Sequence, residues 1–108
     1  MLDASETAFR ALADPTRRAI VAMLAQSDMT VGAVAAEFDM SRPAVAKHLG
    51  QLEGSGLITV EARGRERINR LNPAALDPVA DWLARIDRFW SDRLDRLKDA
   101  IERDDDDA

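Results

Sequence analysis

Cationic side chains that can pair with phosphate groups or with the edges of nucleic-acid bases are concentrated in one part of this sequence. Of the 15 basic and 20 acidic residues in the chain, six basic and only three acidic residues lie within residues 41–70. The six basic residues are Arg42, Lys47, Arg63, Arg65, Arg67 and Arg70. The net charge of the whole chain, −5, argues against a nucleic-acid binder, but the distribution of the charge favours one. A merely solvated surface is the other interpretation, and charge alone does not separate the two.

Other kinds of reactive site find little support in the residue types. The chain contains no cysteine and a single histidine, His48, so it has no thiolate chemistry and no multi-histidine metal site. It has no glycine-rich phosphate loop, and its last third alternates aspartates with arginines, as on the charged face of a helix. We therefore expect no catalytic residues, no metal and no cofactor, which argues against an enzyme.

Length and hydropathy bound the class of protein. A chain of 108 residues is the size of one domain, and we assign residues 1–103 to it. Residues 104–108 form an acidic run that repels itself, which predicts a disordered tail. No apolar run is long enough to cross a membrane, and no leader is recognisable at the start. These features predict a soluble, cytoplasmic protein with no membrane partner.

Two short helices are expected to position the first half of the basic window. Thr30 begins one helix, which ends at a turn over Asp39 and Met40. Ser41 caps the next, predicted over residues 42–55, whose apolar residues have the spacing of one buried stripe. That stripe consists of Val45, Leu49 and Leu52. The pair predicts a helix-turn-helix, in which the second helix enters the major groove of DNA.

A β-hairpin is expected to carry the second half of the window. Residues 57–63 and 66–71 alternate with the period of a strand, and Gly64 permits the turn between them. Two helices precede these elements, over residues 4–13 and from Asp14-Pro15 to about Gln26, and one long helix follows from about Ala74 to Arg103. The predicted fold is mainly α with a small two-stranded hairpin, a winged helix-turn-helix of order α-α-α-α-β-β-α.

The predicted helix orients its residues relative to DNA. If the apolar stripe points inward, Lys47 points outward, and Arg42 lies at the helix start, where an arginine can pair with guanine O6 and N7. Lys47 can contact a base or a phosphate, Gln51 can reach adenine or the backbone, and His48 can either bond a neighbouring residue or contact DNA. The expected DNA-binding residues are Arg42, Pro43, Ala46, Lys47, His48, Gln51 and, on the hairpin, Arg63, Arg65 and Arg67.

Two arginines near the start of the second helix have alternative roles. Arg17 and Arg18 can each reach an acidic neighbour or a phosphate. We expect a structural role for at least one of them.

Two segments resemble the ArsR-type winged-helix transcriptional regulators. They are residues 9–18 (FRALADPTRR) and residues 41–49 (SRPAVAKHL), and the resemblance continues through residues 52–58 (LEGSGLI) and 70–73 (RLNP). The resemblance implies a homodimer, joined through the first and last helices, that represses genes by occupying an inverted-repeat operator. Its implied interface residues are Leu2, Phe9, Leu83, Ile86, Trp90, Leu94 and Leu97.

The sequence departs from the metal-sensing members of that family. The third helix has Val31, Gly32, Ala33 and Val34 where sensing cysteines would lie, and the last helix has no histidine. We therefore expect no metal switch, and no small-molecule effector can be identified. Two alternatives to an operator-reading regulator are a winged-helix module that binds proteins and an architectural protein that binds DNA without regard to sequence.

Overall fold

The computed structural model describes residues 3–106 and the side chains up to residue 103. Leu2 of the predicted interface and the last two tail residues lie outside the described residues. The chain divides into two units, one up to Pro78 and one from Val79 onward. The described elements are α1 (Ala4–Ala11), α2 (Pro15–Leu24), β1 (Met29–Thr30), α3 (Val31–Phe38), α4 (Arg42–Gly54), β2 (Ile58–Arg63), β3 (Glu66–Leu71), a 3₁₀ turn (Pro73–Leu76) and α5 (Asp77–Asp106).

Side-chain caps fix where α2, α3 and α4 begin. The oxygens of Asp14, Thr30 and Ser41 accept the backbone N–H groups of the residues three positions later, at 2.9, 3.1 and 3.2 Å. Each cap satisfies one of the amides that a helix leaves unpaired at its start. The helix starts predicted from Asp14-Pro15, Thr30 and Ser41 are confirmed.

The end of α4 is set by a glycine. The N–H of Gly56 donates to Glu53 O at 3.0 Å, and the N–H of Leu57 donates to Leu52 O at 3.1 Å. This pair of bonds requires a left-handed residue after the helix, and Gly56 has φ of 82°. The chain therefore turns sharply from α4 into β2, which brings the hairpin back beside the helix-turn-helix.

The core of the first unit lies between the helices and one face of the sheet. Val45, Leu49 and Leu52 of α4 are 0–4% exposed, which confirms the predicted stripe. They share the core with residues of α2, α3, the turn after α4 and the start of β2, among them Ile20, Leu24, Val34, Leu57 and Ile58. Because one face of α4 is fixed inward, its opposite face must lie in solvent.

The sheet has three strands, whereas the sequence predicted two. Its order is β1-β3-β2, and the additional strand pairs Met29 with Asn69 and Thr30 with Ile68. Two residues are too few to show an alternating pattern, so sequence periodicity missed this strand. Asn69 is 2% exposed and its side-chain amide donates to Met29 O at 3.2 Å. The start of α3 is thereby tied to the hairpin.

Several helix boundaries differ from those predicted. α1 ends at Ala11 rather than residue 13, and α2 ends at Leu24 rather than Gln26. The 3₁₀ turn replaces the predicted first turn of the last helix, since Pro73 lacks an N–H and restricts the residue before it. α5 then continues to Asp106, three residues beyond the predicted end.

Two arginines of α2 bind the end of α1. Arg17 donates through Nε to Ala11 O at 2.6 Å and through Nη2 to Arg10 O at 3.2 Å. Arg18 donates to the carbonyls of Leu12 and Ala13. Carbonyls at a helix end have no partner within the helix, and cations there are favoured by its dipole. Both arginines therefore have the structural role that we expected for at least one of them.

We predict that the Asp14 cap weakens in acid whereas the Ser41 cap does not. The N–H of Arg17, aided by the nearby His48 and Arg17 charges, lowers the pKa of Asp14 below its ordinary value of 3.8. A carboxylate whose pKa is lowered by folding stabilises the protein at pH values above its ordinary pKa. That stability is lost as the pH falls through the pKa of the folded state. In urea titrations, the free energy of unfolding lost in Asp14→Ala should therefore stay constant from pH 6 to about pH 4 and shrink as the pH falls below 3.8.

Ser41→Ala is the control, because its hydroxyl cap carries no charge. The loss that this variant causes should stay constant over the same range of pH. A loss in Asp14→Ala that is also independent of pH would contradict the assignment.

Candidate DNA-binding surface

The solvent face of α4 carries most of the residues that the sequence predicted for DNA binding. Arg42, Pro43, Ala46, Lys47 and Gln51 are all exposed. They lie on the helix opposite the buried stripe or at its start. The helix is 13 residues long and begins after a turn in which Asp39 has φ of 52°. The structure thus presents these five side chains on one accessible surface.

Gln51 is held by a residue from another helix. Arg17 donates through Nη1 to Gln51 Oε1 at 2.7 Å, while its other nitrogens bind the carbonyls at the end of α1. One guanidinium therefore connects α1, α2 and α4. Among the described residues, the Gln51 amide nitrogen has no hydrogen-bond partner, so its donor side stays available. Sequence periodicity could not have revealed this contact, since 34 residues separate the two side chains.

His48 lies at the edge of the buried face of α4. Its side chain is 21% exposed, and Nδ1 lies 3.8 Å from Asp14 Oδ2. Nδ1 is buried and has no hydrogen-bond partner in the described structure. The structure places the His48 ring beside Asp14, between α4 and the cap of α2, without a hydrogen bond from Nδ1.

The hairpin separates its arginines between two faces. Arg67 shares a face of β3 with the buried Asn69, so it lies on the side of the sheet that packs against the helices. Arg63 lies on the opposite face, where Nη2 is 3.5 Å from Glu61 Oε2. Arg70 contacts Asp28 at 2.9 Å and Glu61 at 3.1 Å. Arg65 follows Gly64, whose φ of 58° forms the tip.

Four of the six cations in the basic window have no acidic partner. Among the described residues, no carboxylate lies within 4.0 Å of the charged group of Arg42, Lys47, Arg65 or Arg67. All four are exposed and come from α4 and the hairpin. Uncompensated charges on one surface create a positive potential even when the net charge is negative. This surface can attract a polyanion.

A depression of about 250 Å³ lies between the start of α3, the start of α4 and the hairpin tip. It is lined by Thr30, Val31, Gly32, Arg42, Arg65, Glu66 and Arg67. A Cβ atom on Gly32 would lie 2.8 Å from Arg42 Nη2, so the guanidinium rests directly on the first turn of α3. Apart from a glycine early in a predicted helix, no pattern in the sequence indicates this approach.

Within residues 3–103, no three histidine or acidic side chains are arranged to hold a metal ion. No helix in this described part is both long and apolar enough to span a bilayer.

Comparisons with known proteins find helix-turn-helix transcriptional regulators. A family model described as a helix-turn-helix domain matches residues 12–61. The chain is 38% identical to the HTH-type transcriptional regulator Rv2034 of Mycobacterium tuberculosis over 103 residues, 95% of this chain and 94% of that protein. It is 35% identical to the transcriptional repressor SdpR of Bacillus subtilis over 75 residues, 69% of this chain and 83% of that protein.

A solved structure supports the same assignment. The crystal structure of the ArsR family transcriptional regulator RHA00566 superposes with a TM-score of 0.72 at 37% sequence identity, covering 82% of this chain and 98% of that one. The resemblance and the predicted class, mainly α with a winged helix-turn-helix, are confirmed. The chain is a transcriptional regulator rather than an enzyme, and it belongs to the ArsR family of winged helix-turn-helix proteins.

Proposed function

We propose that this protein is a repressor that binds an inverted-repeat operator as a homodimer, with α4 in the major groove and the β2–β3 hairpin on the DNA backbone or in the adjacent minor groove. The observation that carries the proposal is the set of four unpaired cations on the surface shared by α4 and the hairpin. In a chain with a net charge of −5, such a set favours a polyanionic partner for this surface.

The outward residues of α4 supply the proposed sequence readout. Lys47 can donate to the acceptors of guanine or to a phosphate, and the methyl group of Ala46 can contact the methyl group of thymine. Pro43 lies beside them, and Gln51 offers its amide nitrogen while Arg17 holds its oxygen. Because few of these groups form hydrogen bonds, we expect modest sequence preference.

We propose that the hairpin positions the protein on DNA and does not distinguish base sequences. Arg65 and Arg67 carry unpaired charges beside α4, suited to phosphates. Arg63 and His48 also belong to the predicted contact set, but their contacts with Glu61 and Asp14 leave them weaker candidates. The sequence predicted a cytoplasmic protein, and we propose that it binds DNA in the cytoplasm.

The second copy of the chain is proposed to pack on the apolar stripe of α5. Leu83, Trp90, Leu94, Leu97 and Ile101 are each 53–57% exposed in the single chain. The stripe repeats every 11 residues, with Val79, Trp90 and Ile101 in one register and Leu83 with Leu94 in the next. An 11-residue repeat keeps an apolar face almost straight along a helix, with a slight right-handed supercoil between partners. Ile86, Leu97 and, on α1, Phe9 complete the described part of the predicted interface.

The stripe is long as well as exposed. α5 has 30 residues, a length of about 45 Å at 1.5 Å per residue. Large apolar side chains exposed in one continuous row mark an interaction surface. A second copy of this chain has the same stripe and can therefore cover the first stripe along its full length. A second copy is thus the favoured partner.

We predict that Lys47→Ala reduces the preference for the operator sequence and that Arg65→Ala reduces the affinity for any duplex. In anisotropy titrations at about 150 mM salt, the wild type should bind the duplex upstream of its own gene more tightly than a shuffled duplex. Lys47→Ala should lower that ratio about tenfold, as expected for one lost base contact. Arg65→Ala should weaken binding to both duplexes equally and reduce the salt slope by about one per chain.

Lys98→Ala on α5 removes the same charge from outside the proposed DNA-binding surface and should change neither quantity. Equal binding of the wild type to both duplexes would favour an architectural protein. Binding to neither duplex would favour a protein-interaction module.

We predict that Leu94→Glu separates the dimer. A carboxylate in the centre of a buried apolar stripe has no partner to offset its desolvation. Sedimentation equilibrium at micromolar concentration should give about twice the 11.9 kDa chain mass for the wild type and the single-chain mass for the variant.

Arg96→Glu, which changes an exposed charged position on the same helix, is the matched control and should remain dimeric. A wild type that sediments as a single chain, or a Leu94→Glu variant that still dimerises, would contradict the proposed interface. Far-ultraviolet circular dichroism shows whether the variants keep their helices.

A further inference from the structure

The Arg42 side chain does not extend freely from the start of α4. Its Nη2, Cζ and Nε atoms lie 2.8, 3.2 and 3.5 Å from the position that a Cβ atom on Gly32 would occupy. Real Cβ atoms essentially never approach another atom as closely as 2.8 Å. The guanidinium can therefore occupy this place only because residue 32 has no side chain.

This position is electrostatically unfavourable for a cation in the free protein. The start of α3 is the positive end of a helix dipole, and Arg65 and Arg67 line the same depression. Glu66 is the one acidic residue in the lining, and no ion pair joins it to any of the three arginines within the described structure. Three cations that converge without a partner are stabilised when an anion enters between them.

We propose that this depression binds one backbone phosphate of the operator in each half-site, held by Arg42 from α4 and by Arg65 and Arg67 from the hairpin. This inference rests on the proposed DNA binding and refines it. In place of the guanine contact that the sequence predicted for Arg42, the proposal gives this residue a phosphate contact, because its guanidinium lines the depression with the hairpin arginines and rests on the first turn of α3.

Gly32 is then a positioning residue for DNA binding, although it lies outside both α4 and the hairpin. An alanine there would displace the guanidinium from its place on the first turn of α3. The same substitution favours the helix, since alanine has a higher helix propensity than glycine. A loss of DNA affinity in Gly32→Ala would therefore not come from unfolding.

The test combines neutral phosphates with protein variants. Each phosphate of the bound duplex is replaced in turn by an uncharged methylphosphonate, and affinity is measured by anisotropy for the wild type, Arg42→Ala, Arg65→Ala, Gly32→Ala and Lys47→Ala. For the wild type, one phosphate per half-site should cost about tenfold in affinity, the size of a charge-assisted hydrogen bond. Arg42→Ala, Arg65→Ala and Gly32→Ala should each be nearly insensitive to that phosphate, whereas Lys47→Ala should keep the full loss.

Replacing guanines by 7-deazaguanine tests the alternative for Arg42. Under the phosphate proposal, Arg42→Ala and the wild type lose affinity equally when N7 is removed. A guanine whose N7 matters to the wild type but not to Arg42→Ala would overturn the proposal and restore the base contact.

The failures of the two proposals are distinguishable. If the wild type binds duplexes but Arg42→Ala stays sensitive to every phosphate that matters to the wild type, the phosphate site is overturned. The proposed DNA binding is then unaffected. A protein that binds no duplex overturns both. Thermal unfolding of Gly32→Ala at or above the wild-type midpoint shows that any loss of affinity is local.

Discussion

The burial of one apolar stripe on α4 is the constraint on which the DNA-binding surface depends. Val45, Leu49 and Leu52 fill the space between α2, α3 and the start of β2, and this packing fixes the rotation of α4 about its own axis. Rotation by one residue would turn Lys47 about 100° away from its outward direction. The caps at Asp14, Thr30 and Ser41, the Gly56 turn and the Arg17 contact with Gln51 then fix where the helix begins, ends and lies.

Charge is distributed over this framework by pairing. Arg17 and Arg18 donate hydrogen bonds to the carbonyls at the end of α1. Arg63 forms an ion pair with Glu61, and Arg70 forms one with Asp28. The cations left unmatched in residues 41–70 lie on the surface that α4 and the hairpin share. A negative net charge and a positive binding surface are compatible because nucleic acid responds to the local field, which falls off within about 8–10 Å in physiological salt.

The sequence predicted what depends on local pattern and missed what depends on chain-distant contact. Helix caps, the α4 stripe and the hairpin are encoded by residue type at short spacing, and the structure confirms them. The strand β1 was missed because two residues are too few to show an alternating pattern and because its partner β3 lies about 40 residues away. The contacts of Gln51 with Arg17 and of Arg42 with Gly32 were missed for the same reason, since helix periodicity gives the direction of a side chain but not the neighbour it meets.

We propose that two copies of this α4 surface enter successive major grooves on one side of a duplex. Hydroxyl-radical footprinting of the wild-type protein on the DNA upstream of its own gene measures this directly. We expect two protected segments whose centres lie about 10 base pairs apart on the same side of the helix, as for other dimeric helix-turn-helix proteins. A single protected segment, or uniform protection along the whole duplex, would contradict this arrangement.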